Sequence, residues 1–177
     1  RIGYAVIQEP PLGGVRRRFE RLGSKHRLDV VLPPMEHGET AAAWVAALLK
    51  ADATGDPVRM IVPQINLHNA VSITGAQVAG ADQVGRTLNA DTVTVASGSV
   101  IPAGRALSLI VSSRSYLYLT TEDCAVTDGA AALKLDVSLR ATPADDTAIT
   151  LNDPVIEGDL DGNVRSWTIE LAMIQGL

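Results

Sequence analysis

The chain reads as a mainly β protein with one helix and an inserted small β-barrel. Three observations predict this. Short apolar or alternating runs, bounded by Gly, Pro, Ser and Asp, recur along most of the 177 residues. One Ala-rich stretch, Glu39 to Lys50, carries apolar residues at helical spacing. From about residue 66 the composition shifts toward Gly, Ala, Ser, Thr and Asp, and the character of the first third returns near residue 155.

The first third is short strands around the helix. Ile2 to Gln8 is apolar and β-rich, and Pro10-Pro11-Leu12-Gly13-Gly14 is a turn cluster. Val15 to Leu22 is polar and Arg-rich. In Arg27 to Leu32, Leu28, Val30 and Leu32 share one face, the period of a half-buried strand, until Pro33-Pro34 stops it. The helix places Trp44, Val45, Leu48 and Leu49 on one stripe. Glu36 and Glu39 at its start and Lys50 at its end complement the macrodipole. Gly55 and Pro57 close it, and Val58 to Val62 is a strand ending at Pro63.

Beyond residue 66 come short β runs: Thr92 to Ala96, Ala106 to Ser112, Tyr116 to Thr121, Ala132 to Leu139 and Thr147 to Leu151. Turn signals such as Ser112-Ser113-Arg114-Ser115 and Asp128-Gly129 separate them. Such spacing suggests a small barrel, and closure removes unpaired edges. The final strand, Val164 to Gln175, puts Trp167, Ile169, Leu171 and Met173 on one face. A lone terminal strand is not stable, so it is expected to pair with strands before residue 66. The expected organisation is a discontinuous domain, 1–66 plus 155–177, carrying a barrel at 67–154. Trp44, Leu48, Trp167 and Ile169 are its expected core.

Composition narrows the function. Hydrophobic residues are 46 %, enough for a core, and the net charge is −5, unlike a basic nucleic-acid binder. Aromatics are 3 %, few for stacking on single strands. The single cysteine, Cys124, excludes an internal disulfide; a reducing compartment fits, and so does an extracellular particle assembled in the cytoplasm. No apolar run reaches the length of a membrane helix, and Arg1-Ile2-Gly3-Tyr4 has no signal-peptide pattern.

Candidate chemistry is sparse. Glu36-His37-Gly38-Glu39 lacks the paired-His spacing of a zinc site, and His26 and His68 have no partner at ligand spacing. Glu157-Gly158-Asp159-Leu160-Asp161-Gly162-Asn163 mimics the start of a calcium loop. It begins with Glu, however, and has Thr168 at the twelfth position, so a polar hairpin fits better. There is no nucleophile elbow and no phosphate loop. Cys124 sits in the acidic run Thr121-Glu122-Asp123, and Asp145-Asp146 has the setting of a solvent loop. No catalytic residue, metal ligand or cofactor is expected. Arg16, Arg17 and Arg18 form a basic run that reads as a solvated strand or as an interface with acidic patches of a neighbour, with DNA phosphate binding a poorer third option because the patch is small and the chain acidic.

The order of pieces resembles a family. Arg27-Leu28-Asp29-Val30-Val31-Leu32-Pro33-Pro34-Met35-Glu36 leads into the Trp44 helix. Gly104-Arg105-Ala106-Leu107-Ser108-Leu109 is followed by Tyr116-Leu117-Tyr118-Leu119. Asp153-Pro154-Val155-Ile156-Glu157-Gly158 precedes Val164-Arg165-Ser166-Trp167-Thr168-Ile169-Glu170. Together they resemble the distal-tail or tail-tip ring proteins of long-tailed bacteriophages over nearly the whole chain. The resemblance implies a tail-tube-like β-sandwich with a flanking helix, plus an outward-pointing inserted β domain. It implies a virion protein assembled in the host cytoplasm, in a ring that is usually hexameric. Partners would be copies of itself, the tail tube protein and the hub proteins, with DNA only passing through the channel and no membrane insertion. It brings no catalytic residues. The alternative is a carbohydrate- or surface-binding β module, which needs exposed aromatics.

Overall fold

The computed structural model describes residues 5–8, 17–20, 25–30, 39–64, 72–96 and 100–160. In chain order the strands are β1 (Ala5–Gln8), β2 (Arg17–Glu20), β3 (Val58–Ile61), β4 (Ile73–Thr74), β5 (Gln77–Val78), β6 (Thr87–Asp91) and β7 (Thr94–Val95). They continue as β8 (Val100–Ile101), β9 (Ala106–Val111), β10 (Arg114–Leu119), β11 (Cys124–Thr127), β12 (Ala130–Lys134), β13 (Ile149–Thr150) and β14 (Val155–Gly158). Among the described residues there is a single helix, α1 (Glu39–Thr54), so the protein is mainly β with one helix.

Good helix formers carry α1 one turn past Lys50. It stops at Gly55, whose φ of 67° only glycine adopts readily. The Gly55 N–H bonds the Ala51 carbonyl at 2.9 Å, and the Thr54 hydroxyl bonds the Lys50 carbonyl. Lys50 therefore lies inside the helix, and the last turn holds no basic residue.

Alternation builds the core. Leu88 and Ala90 of β6, Ala131 and Leu133 of β12, and Leu107 and Leu109 of β9 all turn inward. The buried apolar cluster runs from Ile73 to Leu151. Burying each Leu contributes roughly 1.5–3 kcal/mol. A five-stranded sheet, β5-β6-β12-β11-β8, and a three-stranded sheet, β10-β9-β13, enclose it. Two tight hairpins set their registers. Ser112 and Ser113 turn β9 into β10 with φ of 50° and 65°, and Asp128-Gly129 turn β11 into β12 at 51° and 77°.

The closure expected over 67–154 takes a looser form. Among the described residues no sheet closes on itself. The two sheets join at isolated bridges, Gln77 of the edge strand β5 with Ala148, and Thr120 with Leu135 just past β12, an inner strand of its sheet. The physical reason is length: β5 and β13 have two residues each, too few to extend a ladder. The result is two open sheets around one core.

Entry to and exit from this body lie side by side. β3 pairs antiparallel with β14, Ile61 opposite Val155, and the Val62 N–H bonds the Pro154 carbonyl at 2.8 Å. Next along the chain, the buried side chain of Gln64 stands in for a strand. Its Nε2 donates to the carbonyls of Ala106 (2.8 Å) and Leu151 (2.7 Å), and its Oε1 accepts from the Ala106 N–H (2.9 Å). Only one orientation of the amide satisfies all three.

Gln64→Glu, which cannot donate to those two carbonyls, should destabilise the fold by roughly 2–4 kcal/mol, because buried backbone groups lose their partners. Urea unfolding checks this; a midpoint equal to wild type would contradict it. A fragment of residues 58–160, which holds the whole described core, should unfold cooperatively by itself.

Candidate functional site

One polar site ties β14 to the β9–β10 turn. The Glu157 side chain is 3 % exposed. Its Oε2 accepts from Arg59 Nε at 2.8 Å and from the Ser115 N–H at 2.9 Å, and Arg114 Nε lies 3.7 Å from Oε1. Arg59 also donates through Nη2 to the Ser113 carbonyl at 2.6 Å, bracing a turn whose two serines both have positive φ. Burial pushes the Glu157 carboxyl up. The Ser115 N–H, the Arg59 hydrogen bond and the charges of Arg59 and Arg114 outweigh it and hold the carboxyl below its usual range. Ser108 and Ser115 complete the seam: the Ser108 hydroxyl accepts from the Val155 N–H, and the Ser115 hydroxyl donates to the Val155 carbonyl, both at 3.0 Å.

A cavity of about 450 Å³ opens beside the entry strand, between Ile61–Gln64, Ser72, Arg105 and Asn152-Asp153. Arg105 is 1 % exposed, and burial pulls its pKa down. Its Nε donates to the Leu151 carbonyl at 3.0 Å and its Nη2 to Asn152 Oδ1 at 3.1 Å. Asn152 Oδ1 also accepts the Ile73 N–H. The guanidinium thus braces the end of the core, as Gln64 does.

A third anchor joins distant parts of the chain. His26 Nε2 lies 3.0 Å from Asp136 Oδ2, with the side chains 9 % and 14 % exposed. Asp136 Oδ1 accepts the Leu119 N–H at 3.1 Å. Sequence spacing offers His26 no partner, because Asp136 is 110 residues away.

The expected interface and core residues divide as follows. Arg17 and Arg18 lie in β2, opposite Gln8 and Ile7 of β1, and Arg16 lies outside the described residues. Trp44 is 38 % and Leu49 45 % exposed, whereas Val45 and Leu48 are half-buried. Trp167 and Ile169 lie outside the described residues, and with them the expected packing of the helix on that strand. His37 and His68 lie outside as well.

Of the calcium-like run, Glu157 is held by Arg59 and Ser115, and residues 161–163 lie outside the described residues. Asp145 braces a loop by accepting the N–H groups of Gly80 and Asp146. Cys124 is buried, its Sγ 3.3 Å from the Glu122 carbonyl. Tyr118 is buried, and its hydroxyl accepts the Arg140 N–H; burial raises its pKa. The Arg140 guanidinium sits 5.4 Å from the centre of the Tyr116 ring, a cation–π contact. Among the described residues no three His, Cys, Asp or Glu side chains group to hold a metal.

Glu157 sets a pH dependence with a defined sign. Its carboxyl is depressed in the folded state, so its contribution is present above the unfolded value near 4.5 and is lost as pH falls through the lower folded value. Thermal melts of wild type should therefore begin to fall as pH drops below about 4.5. Glu157→Gln should melt lower at pH 7 and show a flatter acid limb. Parallel acid limbs would contradict the assignment.

The chain matches no protein-family model and no curated protein.

Proposed function

We propose that the chain is a non-enzymatic structural subunit of a phage tail. In this reading it forms a ring, hexameric in the architecture it resembles, at the distal end of the tail. The ring joins tube to tip or hub and lines a channel through which DNA passes. The discontinuous part, 1–66 with 155–177, makes the ring, and the unit at 67–154 is carried on it.

One observation supports this best. The buried polar side chains hold one part of the chain to another. Gln64, Arg105 and Glu157 bind backbone where the chain enters and leaves the 73–151 body. That is how a rigid scaffold is built, with the unit fixed on its base. Among the described residues no helix is long and apolar enough to cross a membrane.

Arg17 and Arg18 stand on the β1–β2 hairpin, whose strands pair only with each other among the described residues. With Arg16 they are the proposed contact to a neighbouring acidic copy. Single exposed ion pairs are worth only about 0–1 kcal/mol, but repetition round a ring fixes register.

A second reading, a carbohydrate- or surface-binding module, is favoured by the 38 % exposure of Trp44, which leaves an aromatic face accessible. Glycan titration followed by tryptophan fluorescence tests it. Saturable quenching that is lost in Trp44→Ala would favour that module.

Negative-stain images and sedimentation of the full chain test the ring, alone and with tail-tube protein. Rings are expected for wild type. Changing Arg16, Arg17 and Arg18 together to Glu should leave a folded monomer and no rings. Normal rings from the triple variant would move the interface elsewhere. A wild type that stays monomeric beside its tail partner would refute the ring.

A further inference from the structure

The corner joining β4, β5 and the end of β6 gathers oxygen atoms. Asp91 closes β6 directly opposite Gln77 of β5, so the two side chains leave the sheet on one face. Asp91 Oδ1 is buried and has no hydrogen-bond partner; it is the one buried side-chain oxygen or nitrogen so left among the described residues. A native protein fills such a gap with a water or an ion.

The next residue, Thr92, has φ 50°, a conformation unfavourable for a β-branched side chain. That conformation brings its hydroxyl to the Gly75 carbonyl and within 3.3 Å of Gln77 Oε1. Gly75 has φ 74°, and a Cβ there would stand 2.5 Å from the Thr92 carbonyl oxygen, so only glycine lets the two backbones approach. A carboxylate, an amide, a hydroxyl and a backbone carbonyl oxygen thus come from two short segments, 75–77 and 91–92.

We propose that Asp91, Gln77, Thr92 and the Gly75 carbonyl hold a hard divalent cation, calcium in preference to magnesium. All four donors are oxygen, which suits a hard ion and not zinc or copper. The set is irregular and mostly neutral. Calcium accepts such sets and completes its shell with water, whereas magnesium requires a near-octahedral site. With one carboxylate the affinity falls at the weak end, on the order of 0.1–1 mM. The ion would give Asp91 Oδ1 its missing partner and pin the Gly75 turn to the end of β6. This site is separate from the 157–163 run and does not depend on ring formation.

The full chain is melted in chelator, then in calcium or magnesium at about 10 mM, well above that dissociation constant. Wild type should gain several degrees with calcium and less with magnesium. Asp91→Asn should lose the gain. Gln77→Ala keeps the carboxylate, and should need several-fold more calcium for the same shift; it carries the test if Asp91→Asn does not fold. An absent shift in wild type, or equal shifts in wild type and both variants, would overturn the site. So would an Asp91→Asn protein more stable than wild type in chelator while calcium leaves wild type unchanged, since an amide donor would then suffice.

Discussion

Every strand edge in this protein must find partners for its N–H and C=O groups, and most of its strands are too short to supply them. That constraint organises the molecule. Backbone groups left unpaired away from water cost as much as a lost hydrogen bond. Here side chains take over where ladders end. Glu157 caps the Ser115 N–H and Asp136 caps the Leu119 N–H, two positions along the outer edge of β10. Gln64 substitutes for a strand beside Ala106 and Leu151. Gln83 holds the carbonyl of Asn89 and, through Oε1, its N–H. Each capping carboxylate is then matched by a cationic or histidine partner, Arg59 for Glu157 and His26 for Asp136.

Local patterns made much of the fold legible. The helix start, β3, β9 and the turn at Asp128-Gly129 follow from alternation, helix propensity and turn chemistry, all properties of neighbouring residues. The turn read over Ser112 to Ser115 is tighter than expected: only Ser112 and Ser113 have positive φ, and Arg114 and Ser115 already pair in β10. Where partners are remote, legibility fails. β6 reads Thr-Leu-Asn-Ala-Asp and is a strand because β12 and β5 flank it. β11 passes for a connecting segment until Ile101 and Ala131 are known to sit beside it. The β12 strand begins at Ala130, two residues before the start expected at Ala132, because the Asp128-Gly129 turn delivers the chain straight into the ladder.

The polar sites are less visible in the sequence than the sheets for the same reason. Arg59 and Glu157 are 98 residues apart, and nothing in either segment marks them as partners. The acidic residues that follow Glu157 make it look like a possible ligand. Its environment instead makes it a structural acceptor. The Asp91 corner has no acidic run to announce it. It is assembled by one register, Gln77 against Asp91, and one unfavourable φ at Thr92. The arginine run at 16–18 is conspicuous in composition, yet only the β1–β2 register of Arg17 and Arg18 is described for it.

The β3–β14 junction has a mechanical consequence. Both strands leave for the 73–151 body at the same end of their ladder, from Ile61 and Val155. Tension on that body therefore runs along both strands in the same direction and does not pull their pairs apart. Glu157 stands at the third pair from that end, opposite Arg59, and its bond to the Ser115 N–H ties the ladder back to the body itself. A load on the body is thus carried by two strands and this crosslink together, rather than by a single connecting segment.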